Sequence, residues 1–585
     1  LAVLENIEIA SVLKELADLL EIKGANPFRI RAYRNAIRTV RGLTRPLTGM
    51  IADGVDLTEL PGIGKDLSSH IRELVETGRL GVLEEVGAEV PRSLVALVAL
   101  DGVGPKKAKK LWEELGVTSV DELEAALEGG QVAQLEGFGQ KSAEKISISI
   151  QDFRKHQGRF LLSEVDLLLA PLLQHMEGLE EVERVEVAGS YRRRKETVGD
   201  VDLLVLARTD ASKVVDWFVS YPGVERVDAA GETRGRVILR SGLPVDVRVV
   251  GSESFGAALH YFSGSKEHNV VIRTLGVKRG LRINEYGVFR EGDEEEDSAD
   301  RICGDEEEDV FAAVELPWIP PVLRENRGEV EAAREGRLPQ LLSLPEIRGD
   351  LQMHTTWSDG ENSLREMAEG CRDRGYEYLS VTDHSQAVTV AGGLKPEDVR
   401  AQWQEMEEVR EQVRGIRLFR SLEIDILKDG SLDMPEDILQ ELDLVLVSVH
   451  SFMNMDKVAM TDRVIRALEH PQVDILAHPT GRILNRREPF ELDVEAVLQA
   501  ASSLDVAVEL NAHPERLDLH NGHLRRAKEL GVRVAINTDA HSVRGLDYMR
   551  YGVDQACRGW LERDDVLNAL PLGEFQGWMS RRAKP

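Results

Sequence analysis

Cysteine is almost absent from this 585-residue chain. Its three residues, Cys303, Cys371 and Cys557, lie far apart and form no CxxC pair, which excludes a disulfide framework and a cysteine zinc cluster. No apolar run approaches the roughly 18 residues that a membrane-spanning helix needs. The opening stretch LAVLENIEIASVLKELADLL carries acidic residues early and an apolar period of the 3.6 type, so it reads as an amphipathic helix and not a secretory signal. A cytoplasmic protein with no membrane partner is expected. Positive charge is also scarce: 73 Lys and Arg stand against 103 Asp and Glu, a net charge of −30. That excludes a uniformly basic coat, so any nucleic-acid contact must come from local devices. The densest acidic run, EGDEEEDSADRICGDEEED at 291–309, reads as an exposed, mobile loop.

What is present points to several soluble domains. The length exceeds what one core usually supports, and 42% hydrophobic with 30% charged residues fits globular folds. The first 160 residues are rich in helix formers and repeat one pattern three times: LPGIGK from Leu60, LDGVGP from Leu100 and LEGFGQ from Leu135. The glycine pairs Gly62 and Gly64, Gly102 and Gly104, and Gly137 and Gly139 allow a tight turn whose backbone N–H groups open the next helix, where a phosphate fits. Lys65, Lys106, Lys107, Lys109, Lys110, Lys141 and Lys145 follow and add sequence-independent attraction. One copy alone is equally a plain helix turn; three copies point to DNA backbone. The pattern resembles helix-hairpin-helix motifs.

From about 183 the texture changes to short β-branched runs, VERVEVAGS, VDLLVLA, RVILRS and PVDVRVV. Within GSYRRRKETVGDVD, Asp200 and Asp202 are two apart on a strand and point the same way. Adjacent carboxylates repel unless a cation lies between them, which makes a divalent metal their natural partner. Asp246, in PVDVRVV, can add a third carboxylate. A lone DxD is commonplace at strand ends, so its company matters. Residues 310–345 are rich in proline and charge and read as a linker with a helical piece. Beyond them, YLSVTDH, IRLFRSLEIDIL, LDLVLVSVHS, VDILAHPT, VAVELNA and VRVAINTDAH alternate with amphipathic helices, which predicts a parallel α/β domain of the barrel form. His354, His384, Glu423, His450, His478, Asp539 and His541 fall where strands end, so they can meet at one mouth. Imidazole and carboxylate without thiolate suit zinc, manganese or iron and metal-assisted phosphoester hydrolysis.

GSYRRRKETVGDVD with the later VDVR and the segment FGAALHYFSGSKEHNVVIRTLGVKRGLRINEYGVF resembles the polymerase β-like nucleotidyltransferases of family X, over roughly residues 1–320. The resemblance implies catalytic Asp200, Asp202 and Asp246 with Mg2+ or Mn2+. It implies Gly189, Ser190 and Arg193 at the nucleotide phosphates, Tyr261 and Phe262 beside the sugar, Gly264 and Ser265 in the turn beneath it, and Asn269 at the base edge. Arg273 is implied at the template minor groove. One departure is His70, where relatives that excise abasic sugar have a lysine; histidine has no primary amine for imine formation, and Lys65 lies on the hairpin itself. Residues 345–575 resemble the PHP (polymerase and histidinol phosphatase) domain, whose sites hold up to three ions, here expected as Zn2+ or Mn2+. By that resemblance His354, Glu423 and Asp539 serve one ion, Glu423, His450 and His478 a second, and Asp359, His384 and His541 a third. Gln352 replaces the first histidine of the family's DxHxH, and an amide is the weaker ligand.

The fold expected is multidomain α plus α/β: a helix-hairpin-helix domain at 1–85, a fingers-like helical domain at 86–160, a palm at 161–250, a thumb at 251–320, a linker at 321–345 and a PHP barrel at 346–585. The function expected is gap-filling DNA polymerisation joined to a 3′-5′ exonuclease or 3′-end phosphoesterase, acting as a monomer on gapped or broken duplex DNA with dNTPs. Its rivals are a polymerase with a silent, structural PHP domain and a non-catalytic scaffold that binds DNA ends.

Overall fold

The computed structural model describes residues 6–581 apart from 42, 44–46, 99, 101, 157 and 291–300. Asp101 of the second hairpin copy and the first half of the acidic run therefore lie outside the described residues. Up to His156 the described elements are helical and share one core. The three glycine turns have one construction. Gly62, Gly102 and Gly137 take φ of 73°, 86° and 84°, a region an L side chain resists. Gly64 and Gly104 then cap the helices Lys65–Thr77 and Pro105–Leu115, and Gly139 precedes Gln140–His156. The apolar residue between each pair, Ile63, Val103 or Phe138, is buried, which anchors the turn while its glycines stay at the surface.

The palm is a five-stranded sheet in the order Val182–Val187, Val201–Ala207, Pro244–Val250, Arg234–Leu239, Val224–Ala230. Val201–Ala207 and Pro244–Val250 pair in parallel, and their neighbours are antiparallel. Helices Leu162–Glu177 and Ala211–Val219 bury their apolar stripes against one face. Phe255–Ser263 covers residues of the other, Ala188 and Leu204 among them.

The acidic run is not one loop where the structure describes it. Arg301–Cys303 pairs with Gly287–Arg290 as a strand, and Glu307–Ala313 is a helix. Glu307 is buried and accepts from Arg192 at 2.7 Å and from Arg324. Charge density alone cannot show that one acid of a run has two guanidinium partners waiting in the fold. The segment read as a linker holds its helical piece, Glu329–Arg334, and it is packed: Arg324 and Glu329 have no exposed surface.

From Gly349 onward, seven parallel strands lie side by side in chain order: Gly349–Asp350, Tyr378–Val381, Arg417–Asp425, Leu444–Ser448, Ile475–Leu476, Ala507–Asn511 and Val534–Asn537. A parallel bridge between Met353 and Ala540 joins the first to the last, with the His354 amide donating to the Ala540 carbonyl at 2.8 Å. The sheet thus closes as a near-barrel, and the C-terminal ends of all seven strands face one mouth.

Candidate functional sites

In the palm, Asp202 and Asp246 are register partners on the central parallel strands, so their side chains leave the same face side by side. Asp200 precedes by two residues and is exposed. Burial, then the charges of Asp200 and Asp246, pushes the Asp202 carboxyl up to about 6. Burial also raises Asp246, although Arg236 donates to it at 2.8 Å. A buried Asp202 carboxylate flanked by the negative charges of Asp200 and Asp246 is the chemistry that a divalent cation would relieve. Gly189, at φ 66°, sits against them: a Cβ there would stand 2.7 Å from Asp202 Oδ2. The turn therefore needs glycine both for its backbone and for closeness to the carboxylate.

The other expected nucleotide residues fall into two groups. Ser190 lies beside Gly189 in the helical turn Gly189–Arg192. Arg193 is largely buried, donating to Glu325 at 2.9 Å and to the Ser263 carbonyl at 2.9 Å. Tyr261 and Phe262 meet edge to face at 5.1 Å, and the Arg248 guanidinium lies 4.5 Å from the Phe262 ring centroid. Asn269 donates to the Tyr261 carbonyl at 2.7 Å and crowds Gly264, where a Cβ would stand 2.3 Å from its Oδ1. Ser265 caps the helix Lys266–Val277, which presents Arg273 exposed. Arg248, two residues after Asp246 on the same strand face, is a neighbour that the sequence reading leaves out; its alternation with Asp246 is the signal that could have found it.

The hairpin lysines also divide. Lys65, Lys106 and Lys141 are exposed. Lys107 donates to the Gly102 carbonyl and to Ser142, both at 3.0 Å, while Lys110 donates to the Glu136 carbonyl at 2.7 Å and Lys109 to the Lys23 carbonyl at 3.4 Å. These last three bind hairpins to one another or to the first helix. His70 sits with its Nδ1 3.0 Å from the Tyr33 hydroxyl.

At the barrel mouth the expected ligands converge. His354 Nε2 lies 3.1 Å from Asp539 and 3.5 Å from Glu423. Glu423 Oε1 lies 2.8 Å from His478 Nε2 and 3.5 Å from His450 Nε2. Asp359 Oδ1 lies 3.4 Å from His541 and 3.7 Å from His384. Two groups have ligand atoms all within 4.8 Å of one another: His354, Asp359, His384 and His541, and His384, Glu423 and His450. His354 and His384 thus link sets that the resemblance keeps separate.

His354 Nδ1, His384 Nδ1, His478 Nδ1 and Glu423 Oε2 are buried without hydrogen-bond partners, a donor chemistry that fits a metal ion. Burial pushes His384 down to about 3, which keeps an imidazole lone pair available. Although burial opposes it, Asp359 and Asp539 push His541 up to about 9. Glu423 and Asp539 are held well below the carboxylate range by their histidine neighbours, against the effect of burial.

Supporting residues that the sequence reading leaves out include Asp425, whose carboxylate accepts from the His450 amide at 2.8 Å, and Asn511, which donates to Asp539 at 3.0 Å. Glu509 accepts from the His478 amide at 2.7 Å. Each stands two residues from another strand-end polar group, as in Glu423-x-Asp425 and Glu509-x-Asn511, which is the legible signal.

A palm sheet that pairs Asp202 with Asp246 on parallel strands, joined to a histidine-lined near-barrel, defines a nucleotidyltransferase fused to a domain whose side chains could hold metal. Comparison with known proteins agrees. Residues 4–80 match the helix-hairpin-helix domain, 94–152 the SAM-like helix-hairpin-helix tandem, 161–221 the DNA polymerase beta palm and 258–325 the DNA polymerase beta thumb. The DNA polymerase/3′-5′ exonuclease PolX of Bacillus subtilis (strain 168) is 39% identical over 98% of this chain and 99% of its own. A probable phosphatase of Thermoanaerobacter sp. (strain X514) is 30% identical over 40% of this chain and 96% of its own, and rat (Rattus norvegicus) DNA polymerase lambda is 25% identical over 55% and 56%. The chain belongs to the PolX family of X-type DNA polymerases with a PHP domain. Among the described residues no helix is long and apolar enough to cross a membrane.

Proposed function

We propose that the chain fills gaps in duplex DNA from dNTPs at the Asp200, Asp202 and Asp246 site and trims or cleans 3′ ends at the barrel mouth. The register pairing of Asp202 with Asp246, with Gly189 pressed against it, carries the first half of this reading. The paired strands hold both carboxylates at fixed separation, so little reorganisation is needed when a nucleotide arrives. Gly189 and Ser190 offer backbone and hydroxyl donors to its phosphates, and Tyr261 and Phe262 form the wall on which its sugar rests. Mg2+ or Mn2+ at this site supplies charge neutralisation and Lewis acidity when bound.

At the mouth, Zn2+ or Mn2+ supplies the corresponding chemistry for phosphoester hydrolysis. Asp425, Glu509 and Asn511 orient the residues that would hold it, fixing the His450 backbone, the His478 backbone and the Asp539 carboxylate. The hairpin turns hold DNA backbone without reading bases. The domain limits proposed are 1–85, 86–160, 161–250, 251–320, 321–345 and 346–585, with the packed 321–345 segment bracing thumb and barrel.

The deciding experiment follows a 5′-labelled primer on a gapped duplex, with Mg2+ and with Mn2+. Asp202→Asn is expected to lose extension by on the order of a thousandfold while degradation continues, and His478→Ala is expected to do the reverse. Undiminished incorporation by Asp202→Asn would refute the polymerase assignment.

A further inference from the structure

The loop that continues the Gly189 turn is held from outside the palm. Arg558 donates from Nη1 to the Arg193 carbonyl at 2.8 Å, and Arg194 donates from Nε to Asp554 at 2.7 Å. Glu196 accepts from Arg482 Nη2 at 2.6 Å and from Gln555. All four partners belong to the barrel. Asp554, Gln555 and Arg558 lie on the helix Met549–Arg558, and Arg482 lies in the loop that follows His478. These are interior contacts: Arg558 is 6% exposed, Gln555 1% and Arg482 8%. Glu325 joins them, accepting from Arg193 at 2.9 Å and lying 3.5 Å from Arg558.

The surrounding contact is continuous. Tyr551 and Leu517 of the barrel are part of the palm's hydrophobic core. The Tyr551 hydroxyl donates at 2.9 Å to Asp166, the same carboxylate that accepts from Tyr191 at 2.8 Å. Arg194 has φ 54°, a left-handed conformation that a non-glycine residue keeps only when its surroundings hold it there. Those surroundings include Asp554.

We propose that the barrel positions the palm's nucleotide-phosphate loop, so that Arg558 and Asp554 are positioning residues for nucleotide insertion as well as domain contacts. The proposal rests on the reading of the Gly189–Arg193 turn as the triphosphate site. Buried charged pairs are costly to break singly, because the survivor is left without its partner. A loop released in this way spends less time in the geometry that receives the triphosphate, which raises the nucleotide KM more than it lowers kcat.

Full-length Arg558→Ala, Asp554→Asn and the double variant should be compared in single-nucleotide insertion on a gapped duplex. The dNTP KM is expected to rise about tenfold, which corresponds to ~1.4 kcal/mol. Gapped-DNA affinity, kcat and 3′-end degradation should each stay within about twofold, and Arg558→Lys should recover part of the loss. Asp554→Asn conserves volume and carries the test even where Arg558→Ala folds poorly. An unchanged dNTP KM in the folded variants would overturn the proposal. So would a parallel fall of insertion, degradation and melting temperature, which would show a contact that only holds the domains together. Asp202→Asn measured alongside separates the two readings: if it retains insertion, the polymerase assignment fails, and if it abolishes insertion while Asp554→Asn changes nothing, only the positioning role fails.

Discussion

Gln352 and Glu509 face each other beneath the barrel mouth, both without exposed surface, and the amide orientation that satisfies this contact has the Gln352 nitrogen donating to both Glu509 carboxylate oxygens. Gln352 stands where the PHP motif places its first histidine. In that orientation its oxygen is turned away from Glu509, and as a metal ligand it would be neutral and weaker than an imidazole. A histidine in its place could still donate to Glu509 from one ring nitrogen, the arrangement that orients metal-bound imidazoles in other proteins. Gln352→His should therefore lower the Mn2+ concentration needed for half-maximal 3′-end hydrolysis by on the order of tenfold. Titration calorimetry with Mn2+ checks the binding directly. If the parent protein binds no metal and His450→Ala leaves hydrolysis unchanged, the barrel is structural.

The hairpins make a prediction about backbone rather than charge. Nothing lies within 4 Å of a Cβ built at Gly104, and its φ of −75° suits any residue. Gly104→Val should therefore fold normally while its side chain stands in front of the N–H groups that open the helix Pro105–Leu115. The expected loss is about 1–2 kcal/mol, roughly tenfold in Kd, and equal for unrelated duplex sequences. Gly102, at φ 86°, is the poorer site for this test because substitution there also strains the turn. Sequence-dependent weakening of Gly104→Val would argue against phosphate contact.

Glu307 gives a stability prediction with a pH signature. Burial opposes its ionisation, yet Arg324 and Arg192 hold its carboxyl well below the ordinary glutamate value of 4.5. A depressed folded-state pKa contributes stability above the unfolded value and loses it as pH falls toward the folded one. Glu307→Gln should cost about 3–5 kcal/mol at neutral pH, the scale for breaking a buried pair. The gap between variant and parent, read by denaturant unfolding, should narrow as pH falls below 4.5. A gap constant down to the acid limit would show that Glu307 matters only by its shape.

His70 predicts a missing activity. It lies on the helix Lys65–Thr77 against the Tyr33 hydroxyl, and imidazole cannot form the imine that excision of an abasic sugar requires. Borohydride should trap little enzyme on an incised abasic site, and His70→Lys should increase the trapped fraction. Strong trapping that disappears in Lys65→Ala would identify Lys65 as the nucleophile instead.

Much of this protein follows from its sequence because the signals are local. Glycines two apart dictate the hairpin turns, the two-residue period puts Asp200 and Asp202 on one side, and strand ends mark the histidines of the mouth. Each depends on backbone geometry within a few residues, which composition and spacing encode directly. Only the tertiary structure decided which partner each group meets. It placed Asp246 opposite Asp202, turned Lys107 and Lys110 inward to the hairpins, and gave Glu307 two arginines within a run that reads as solvated charge. It also set Gln352 against Glu509 and tied the palm loop that follows Gly189 to a helix more than half the chain away. Such pairings depend on the closure of long loops and on the burial each site happens to offer, and neither is written in the residues nearby.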